Sequence, residues 1–379
     1  MKDVLIAIPC LLNGGTEWQT LRLVEALQSG GYQTLTVCYF EYDFEMVQRF
    51  QATGGRVVCL SAYSKRPNGA WKVYRFLREG FRRTLNDFHP DIAHVQYMAP
   101  GAMPIVILRQ LGVHNIIATS HTDADIYKSL KGIHFIQRHL LRAFTCVSQQ
   151  AEEHFFGSSC LYEPGTPLHR RNHFTIPNCL PVEWKCCTRP KETGPDAFVV
   201  GVVSRLEYIK GVDTILPQFA KLLKQRPKCR LLIVGTGKLR DEMVRQQQQL
   251  GIASDRITWV GQVVHQRLDQ YYQQIDVLWI PSRSEGFGLT AIEAHSHAIP
   301  VVATPTGGLI DTVHNGKDGI LTQSENFAES TIQMLEDNEQ FHAMQQEALA
   351  NASAYTFDRY KTRVLDLYNR LTQNQISET

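Results

Sequence analysis

Short apolar runs of strand length alternate with amphipathic runs of helix length through most of this chain, and the alternation starts afresh after its middle. A strand that is apolar throughout has to be covered on both faces. The helices that separate such strands supply the cover, so the pattern predicts mostly parallel sheets wrapped by helices. In the first half it predicts strands over Val4–Ile8, Thr34–Tyr39, Arg56–Leu60, Ile92–Gln96 and Asn115–Thr119. Helices are expected over Glu17–Gln28, Asp43–Gln51, Trp71–Asn86 and Met103–Gln110.

Four prolines from Pro164 to Pro181 interrupt the pattern, and Pro190–Pro195 reads as a linker. Strands then return over Phe198–Val203, Cys229–Val234, Ile257–Val260, Val277–Ile280 and Pro300–Ala303. Helices are expected over Gly211–Lys224, Leu239–Leu250, Leu268–Gln273 and Leu289–His297, with a tail of two more, Asn326–Ala350 and Phe357–Leu371. A length of 379 residues accommodates two hydrophobic cores, and two domains imply a cleft. The expected domains are 1–190, 191–355 and a final segment 356–379.

A formal charge of +2 gives no general case for a nucleic-acid partner. Nine cysteines without framework spacing argue against a disulfide scaffold and against export; the adjacent Cys186 and Cys187 read as surface thiols rather than a metal pair. Val4–Ile8 is strand-length with no cleavage-like region after it, and no apolar run approaches bilayer length, so a cytoplasmic location is the expectation.

Ligands of open parallel sheets bind beyond the carboxyl ends of the strands, which directs the search to the loops that follow them. Asn13-Gly14-Gly15-Thr16-Glu17 is such a loop, where paired glycines admit a close backbone approach at a helix start; it reads equally as a tight turn capped by Thr16, and it lacks the GxGxxG dinucleotide fingerprint. Arg205 and Lys210, between a strand and a helix, offer a planar fork and a point charge to a diphosphate, the alternative being a solvated basic turn.

In Ser284-Glu285-Gly286-Phe287-Gly288-Leu289 and the helix beyond it, Glu285 and Glu293 place two carboxylates eight residues apart. They suit different hydroxyls of one extended ligand, Glu293 a vicinal diol such as that of ribose. Their plain alternatives are an acid at a helix start and an exposed helix position. His121, after another strand, suits a hydroxyl or a base role, and Asp123 with Asp125 forms a D-x-D string of the kind that holds Mg²⁺. Because Arg205 and Lys210 already offer positive charge, no required metal is expected. The loops at Gly235 and Gly261 suit a slot for a flat base and Thr306-Gly307-Gly308 suits added amides near the diphosphate, and each reads equally as an ordinary turn.

The stretches S-R-L-E-Y-I-K-G, V-G-T-G-K, P-S-R-S-E-G-F-G-L-T-A-I-E-A and V-A-T-P-T-G-G, in that order from Val199 to Leu321, resemble the motifs of the retaining glycosyltransferases known as family 4, or glycosyl transferases group 1. The resemblance extends over the whole chain and implies the GT-B architecture, α/β with two facing Rossmann-like domains. It also implies transfer of a hexose-type sugar from a UDP- or GDP-sugar to a hydroxyl of a saccharide or lipid-linked saccharide, without a divalent metal or other cofactor.

By the same resemblance, Arg205 and Lys210 neutralise the diphosphate, Glu285 contacts the donor sugar and Glu293 the ribose. Gly15 contacts the phosphate or sugar, and His121 lies near the C6 hydroxyl. Gly235, Gly261, Gly288 and Leu289 complete the expected donor contacts. The last helix is expected to return to the first domain. One departure is Asp311, where the family often has glutamate. A sugar-nucleotide hydrolase or epimerase and a non-catalytic nucleotide-sugar sensor are the alternatives on the same scaffold. The basic and apolar segment Lys128–Arg142 reads either as a helix packed on its own domain or as a peripheral contact with an anionic membrane at its inner face. Bacterial surface-polysaccharide assembly is the setting that the resemblance suggests.

Overall fold

The computed structural model describes residues 2–62, 66–96, 102–124, 127–182, 184 and 198–373. The Pro190–Pro195 linker, Cys186, Cys187 and Asp125 lie outside the described residues. Two compact units result, one formed by residues 1–179 with 357–379 and the other by residues 180–356.

The first unit is built on seven parallel strands: β1 (Lys2–Leu11), β2 (Tyr32–Tyr42), β3 (Arg56–Cys59), β4 (Ile92–Gln96), β5 (Ile116–Ser120), β6 (Ala143–Cys146) and β7 (His173–Thr175). Their order across the sheet is β3-β2-β1-β4-β5-β6-β7, so the winding reverses between β1 and β4. The central strand β1 explains the layering. Val4, Ile6 and Ile8 point into one core and Leu5 and Ala7 into the other, as the two-residue period of a strand requires.

The first core is closed by Trp18, Leu21 and Val24 of helix Gly15–Ser29 and by Tyr360, Val364, Leu367 and Leu371 of helix Phe357–Gln373. Helices Ala70–Asp87, Ala102–Gln110 and Gln149–Phe156 cover the second, with Leu77, Ile105 and Phe155 as anchors. Helix Lys131–His139, from the basic segment, sends Ile133 into that core and leaves Phe135 exposed.

The second unit holds six parallel strands: β8 (Val199–Val203), β9 (Arg230–Val234), β10 (Ile257–Gly261), β11 (Val277–Ile280), β12 (Val301–Ala303) and β13 (Gly319–Leu321). Their order is β10-β9-β8-β11-β12-β13, with the reversal between β8 and β11. Val200 and Val202 face a core shared with Phe219, Met243, Phe327 and Phe341, and the opposite face packs Tyr272, Ala291, Ala294 and Leu309. Both units are therefore α/β sheets covered on both faces.

Several expectations are corrected. The tail helix expected over residues 326–350 is two helices, Phe327–Glu336 and Asn338–Ala352. Asp337 breaks them by capping the second, its carboxylate accepting from the amides of Glu339 and Gln340. The helix expected from Gly211 starts as tight single turns, Tyr208–Lys210 and Val212–Thr214, before helix Ile215–Gln225. Strands β6, β7 and β13 and helix Gln149–Phe156 had no expectation. Thr16 does not cap the first helix: Gly14 occupies that position, and Thr16 lies inside the helix.

Candidate functional site

The loops beyond β8, β9, β11 and β12 of the second unit converge. Lys210 and Glu285, from the loops after β8 and β11 on either side of the reversal point, form an ion pair with Nζ to Oε2 at 2.7 Å. Both side chains are largely buried, 21% and 15% exposed, so the pair is screened far less than a surface pair. Ser282 donates to the same Glu285 oxygen at 3.1 Å.

The Lys210 loop is braced from outside by Arg283. Its guanidinium makes two 2.7 Å bonds to the carboxylate of Asp213 and a 2.6 Å bond to the Tyr208 carbonyl, and it lies 3.8 Å over the Tyr208 ring. That fork holds the Asp213 carboxyl below the ordinary aspartate range.

Two glycines make this approach possible. Gly211 has φ of +65°, and a Cβ there would lie 1.8 Å from the carbonyl oxygen of Pro281. Gly307 has φ of +49°, and its Cβ would lie 1.8 Å from the carbonyl oxygen of Glu285, to which the Gly308 amide donates at 3.1 Å. The glycine-rich stretches thus clamp the backbone on which Glu285 sits. Gly235 and Gly261 are likewise brought together, the Gly235 amide donating to the Gly261 carbonyl at 2.8 Å, while Leu206 and Thr236 join the β8 and β9 loops.

Arg205 sits apart from the Lys210–Glu285 pair in its interactions. Its side chain is 68% exposed and meets Glu207 at 3.2 Å. Gly288 caps the short helix Leu289–His295, whose Glu293 is 4% exposed. The exposed-helix alternative for Glu293 is therefore overturned. One of its oxygens accepts from the Tyr272 hydroxyl at 2.7 Å and the other lies 3.2 Å from His265 Nε2. Trp184 stacks on His265 with ring centroids 5.5 Å apart. Sequence reasoning assigned no role to Tyr272, His265, Trp184, Ser282 or the Arg283–Asp213 brace; Ser282 and Arg283 stand within the P-S-R-S-E-G-F-G stretch itself, whereas Tyr272, His265, Trp184 and Asp213 come from other segments and carry no local motif. Asp311 is half-buried, its backbone carbonyl accepting from the Tyr355 hydroxyl.

In the first unit Gly15 begins its helix at the end of β1, and Glu17 folds back so closely that a Cβ on Gly14 would lie 2.5 Å from its carboxylate. His121, just past β5, has Nε2 at 2.7 Å from the side-chain amide oxygen of Gln96. Burial lowers its pKa to about 3, which keeps the imidazole neutral at physiological pH. His121 lines a small cavity of about 30 Å³ with His94, Gln19 and Asn178. His94 bonds Tyr368 and Thr119, both at 2.6 Å, and its pKa is also lowered to about 3, by burial and then by the neighbouring His121.

Of the D-x-D string, Asp123 is buried and occupied by the Ala124 amide and by His154 at 2.7 Å. Among the described residues no group of three or more potential metal-ligating side chains comes together.

The sequence descriptions of two families match: "Glycosyl transferases group 1" over residues 188–350 and "Glycosyl transferase 4-like domain" over residues 14–154. Curated relatives include the D-inositol 3-phosphate glycosyltransferase of Corynebacterium urealyticum, 34% identical over 185 residues, which are 46% of this chain and 43% of the relative. That of Nocardia farcinica is 32% identical over 185 residues, 46% of this chain and 41% of the relative. The match thus spans less than half the length of these curated relatives.

Among solved structures, a sucrose-phosphate synthase from Thermosynechococcus elongatus superposes with a TM-score of 0.77 at 20% identity, covering 99% of this chain and 100% of that one. HepE of Anabaena, solved in complex with UDP and glucose, does so with a TM-score of 0.76 at 18% identity, covering 99% and 100%. Likeness at such identities speaks for the fold. With the motif loops gathered at the strand ends of the second sheet and matched segments in both units, residues 188–350 belong to the glycosyl transferases group 1 family and residues 14–154 to the glycosyl transferase 4-like domains.

Proposed function

We propose that the chain is a retaining glycosyltransferase that moves a hexose-type sugar from a UDP- or GDP-sugar to a hydroxyl of a saccharide or lipid-linked saccharide. The observation that carries this reading is the Lys210–Glu285 pair, held at the reversal point of the second sheet by Gly211, Gly307 and the Arg283–Asp213 brace. A cation and a hydroxyl acceptor fixed side by side fit a ligand in which phosphate adjoins sugar. The match to inositol phosphate glycosyltransferases over less than half their length supports sugar transfer, and the fold shared with HepE, solved with UDP and glucose, supports a nucleotide-linked donor.

In this reading Arg205 and Lys210 hold the diphosphate, Glu285 takes donor-sugar hydroxyls, and Glu293 takes the ribose. Gly235 and Gly261 flank the base, while Gly288 and Leu289 add backbone contacts. Gly15 and His121 of the first unit contact the phosphate and the transferred sugar. The acceptor oxygen bonds to the anomeric carbon on the face from which the diphosphate departs. The bond from that carbon to the phosphate oxygen breaks, and the acceptor's proton passes to the departing phosphate. Charge builds on the leaving oxygen, where the two cations act. Neutral His121 contributes a hydrogen bond rather than a proton.

The positive charge of Arg205 and Lys210 serves the leaving group, so the reading includes no divalent metal; transfer abolished by chelation and restored by Mg²⁺ refutes that part. Peripheral contact with an anionic membrane would use Phe135 with Lys131 and Arg138, all exposed on helix Lys131–His139.

The test is a panel of UDP- and GDP-sugars, with bound donor and released nucleotide detected by mass spectrometry. One sugar nucleotide is expected to bind selectively. Arg205→Ala is expected to lower turnover at saturating donor by about 10²–10³-fold, the scale for losing one leaving-group contact. No binding to any panel member by the folded protein, or full turnover by Arg205→Ala, overturns the assignment.

A further inference from the structure

We infer that Tyr272 is a positioning residue that holds the Glu293 carboxylate in the orientation needed to accept the ribose hydroxyls of the donor; the inference rests on the donor-site reading above. Glu293 lies on a helix of seven residues and is almost wholly buried, so its orientation depends on neighbours outside that helix. Tyr272 supplies a 2.7 Å bond to Oε2 and is itself fully buried. A carboxylate only accepts, so the phenol donates and its proton points at Glu293.

The phenol has little freedom to turn away. Its ring stacks on His297 with centroids 5.2 Å apart and planes 24° apart, and Trp184 meets its edge at 5.7 Å. His297 is fixed in turn, with Nδ1 2.8 Å from the Glu293 carbonyl oxygen and Nε2 2.8 Å from Asp269. Tyr272 therefore reaches Glu293 by a direct bond and by a second route through His297.

Each carboxylate oxygen has two acceptor directions, and the phenol takes one on Oε2. A ribose diol needs two more directions that converge on one hydroxyl pair. Without the phenol the carboxylate is free to rotate toward His265, its partner on Oε1. The ribose contact then weakens, although the acid remains in place.

The test uses UDP and GDP with their 2′-deoxy counterparts, bound to the full chain and followed by titration calorimetry. The wild-type protein is expected to bind the better-bound ribonucleotide about tenfold or more tightly than its deoxy form, the scale of one hydrogen bond to a charged group. Tyr272→Phe is expected to reduce that preference to within about threefold while leaving the deoxy affinity unchanged. His297→Asn, which keeps the phenol but removes the ring stacked on it, should lower the preference by less.

If the wild type prefers the ribonucleotide and both folded variants keep the full preference, Tyr272 has no positioning role and the donor-site reading stands. If the wild type itself shows no preference, or binds neither nucleotide, the ribose assignment of Glu293 fails and the inference fails with it. A general loss of packing lowers both affinities together, so a selective loss of the ribose preference is not produced by a merely structural role.

Discussion

Replacing Gly211 by alanine separates backbone strain from displacement of the Lys210–Glu285 pair. The added Cβ would stand 1.8 Å from the Pro281 carbonyl oxygen, whereas real Cβ contacts stay beyond 3.0 Å, so the loops must part by about 1.2 Å, the difference. Lys210 is the residue before Gly211, and Pro281 opens the loop that carries Glu285. A misplacement near 1 Å costs about 10²-fold in rate. The positive φ adds about 1–2 kcal/mol of strain and the overlap a further 1–3 kcal/mol.

Gly251 supplies the control, for it has the same φ of +65° and nothing within 4 Å of its built Cβ. In paired urea melts and sugar-transfer assays, Gly251→Ala is expected to lose only the strain cost and to keep its rate. Gly211→Ala is expected to lose roughly twice as much stability or more, together with about 10²-fold in transfer. Equal losses of stability from the two variants, or transfer by Gly211→Ala within about threefold of wild type, would falsify the claim that the glycine exists to let these loops meet.

Acid should destabilise the first unit through its buried histidines. His94 and His121 have folded pKa values of about 3, below the ordinary value of about 6.5, so the unfolded chain binds more protons and stability falls as pH drops from about 6.5 toward 3. Each contributes a slope of up to about 1.4 kcal/mol per pH unit, and a His94→Asn variant should melt lower at pH 7 yet with a shallower acid limb; parallel limbs would refute the assignment. At the other end of the chain, Asp337→Ala removes a cap that serves two amides and should cost about 1 kcal/mol in a chemical melt, while Asp337→Ser should recover most of it. No difference between those two variants would show that the cap contributes nothing.

Fold class was legible because the central strands are apolar on both faces: Val4–Ile8 could satisfy neither an exposed sheet nor a helix of that length. Short edge strands were not. His173–Thr175 has three residues and sits among prolines, and its place in the sheet is set by pairing with β6 rather than by its own pattern. The break at Asp337 had a readable signal, an aspartate before a new helix-length run, but the run of helix-forming residues on both sides masked it. In the second unit the motif positions stood out because glycines and charges followed strands. Tyr272 and His265 did not, since an ordinary tyrosine and histidine gain their role only when the chain brings them to Glu293.

Because helix Phe357–Gln373 completes a core whose other parts are made before residue 180, the first unit cannot finish folding as it leaves the ribosome. Its strands and first helix emerge early, while the surface that Tyr360, Val364, Leu367 and Leu371 will cover stays bare through synthesis of the whole second unit. At about 5–20 residues per second that interval is on the order of ten seconds or more. During that time the nascent chain presents an apolar face to chaperones and to its neighbours on the polysome. The same arrangement ties completion of the first unit to survival of the entire message, so a chain cut short within the second unit leaves its amino-terminal half open to degradation.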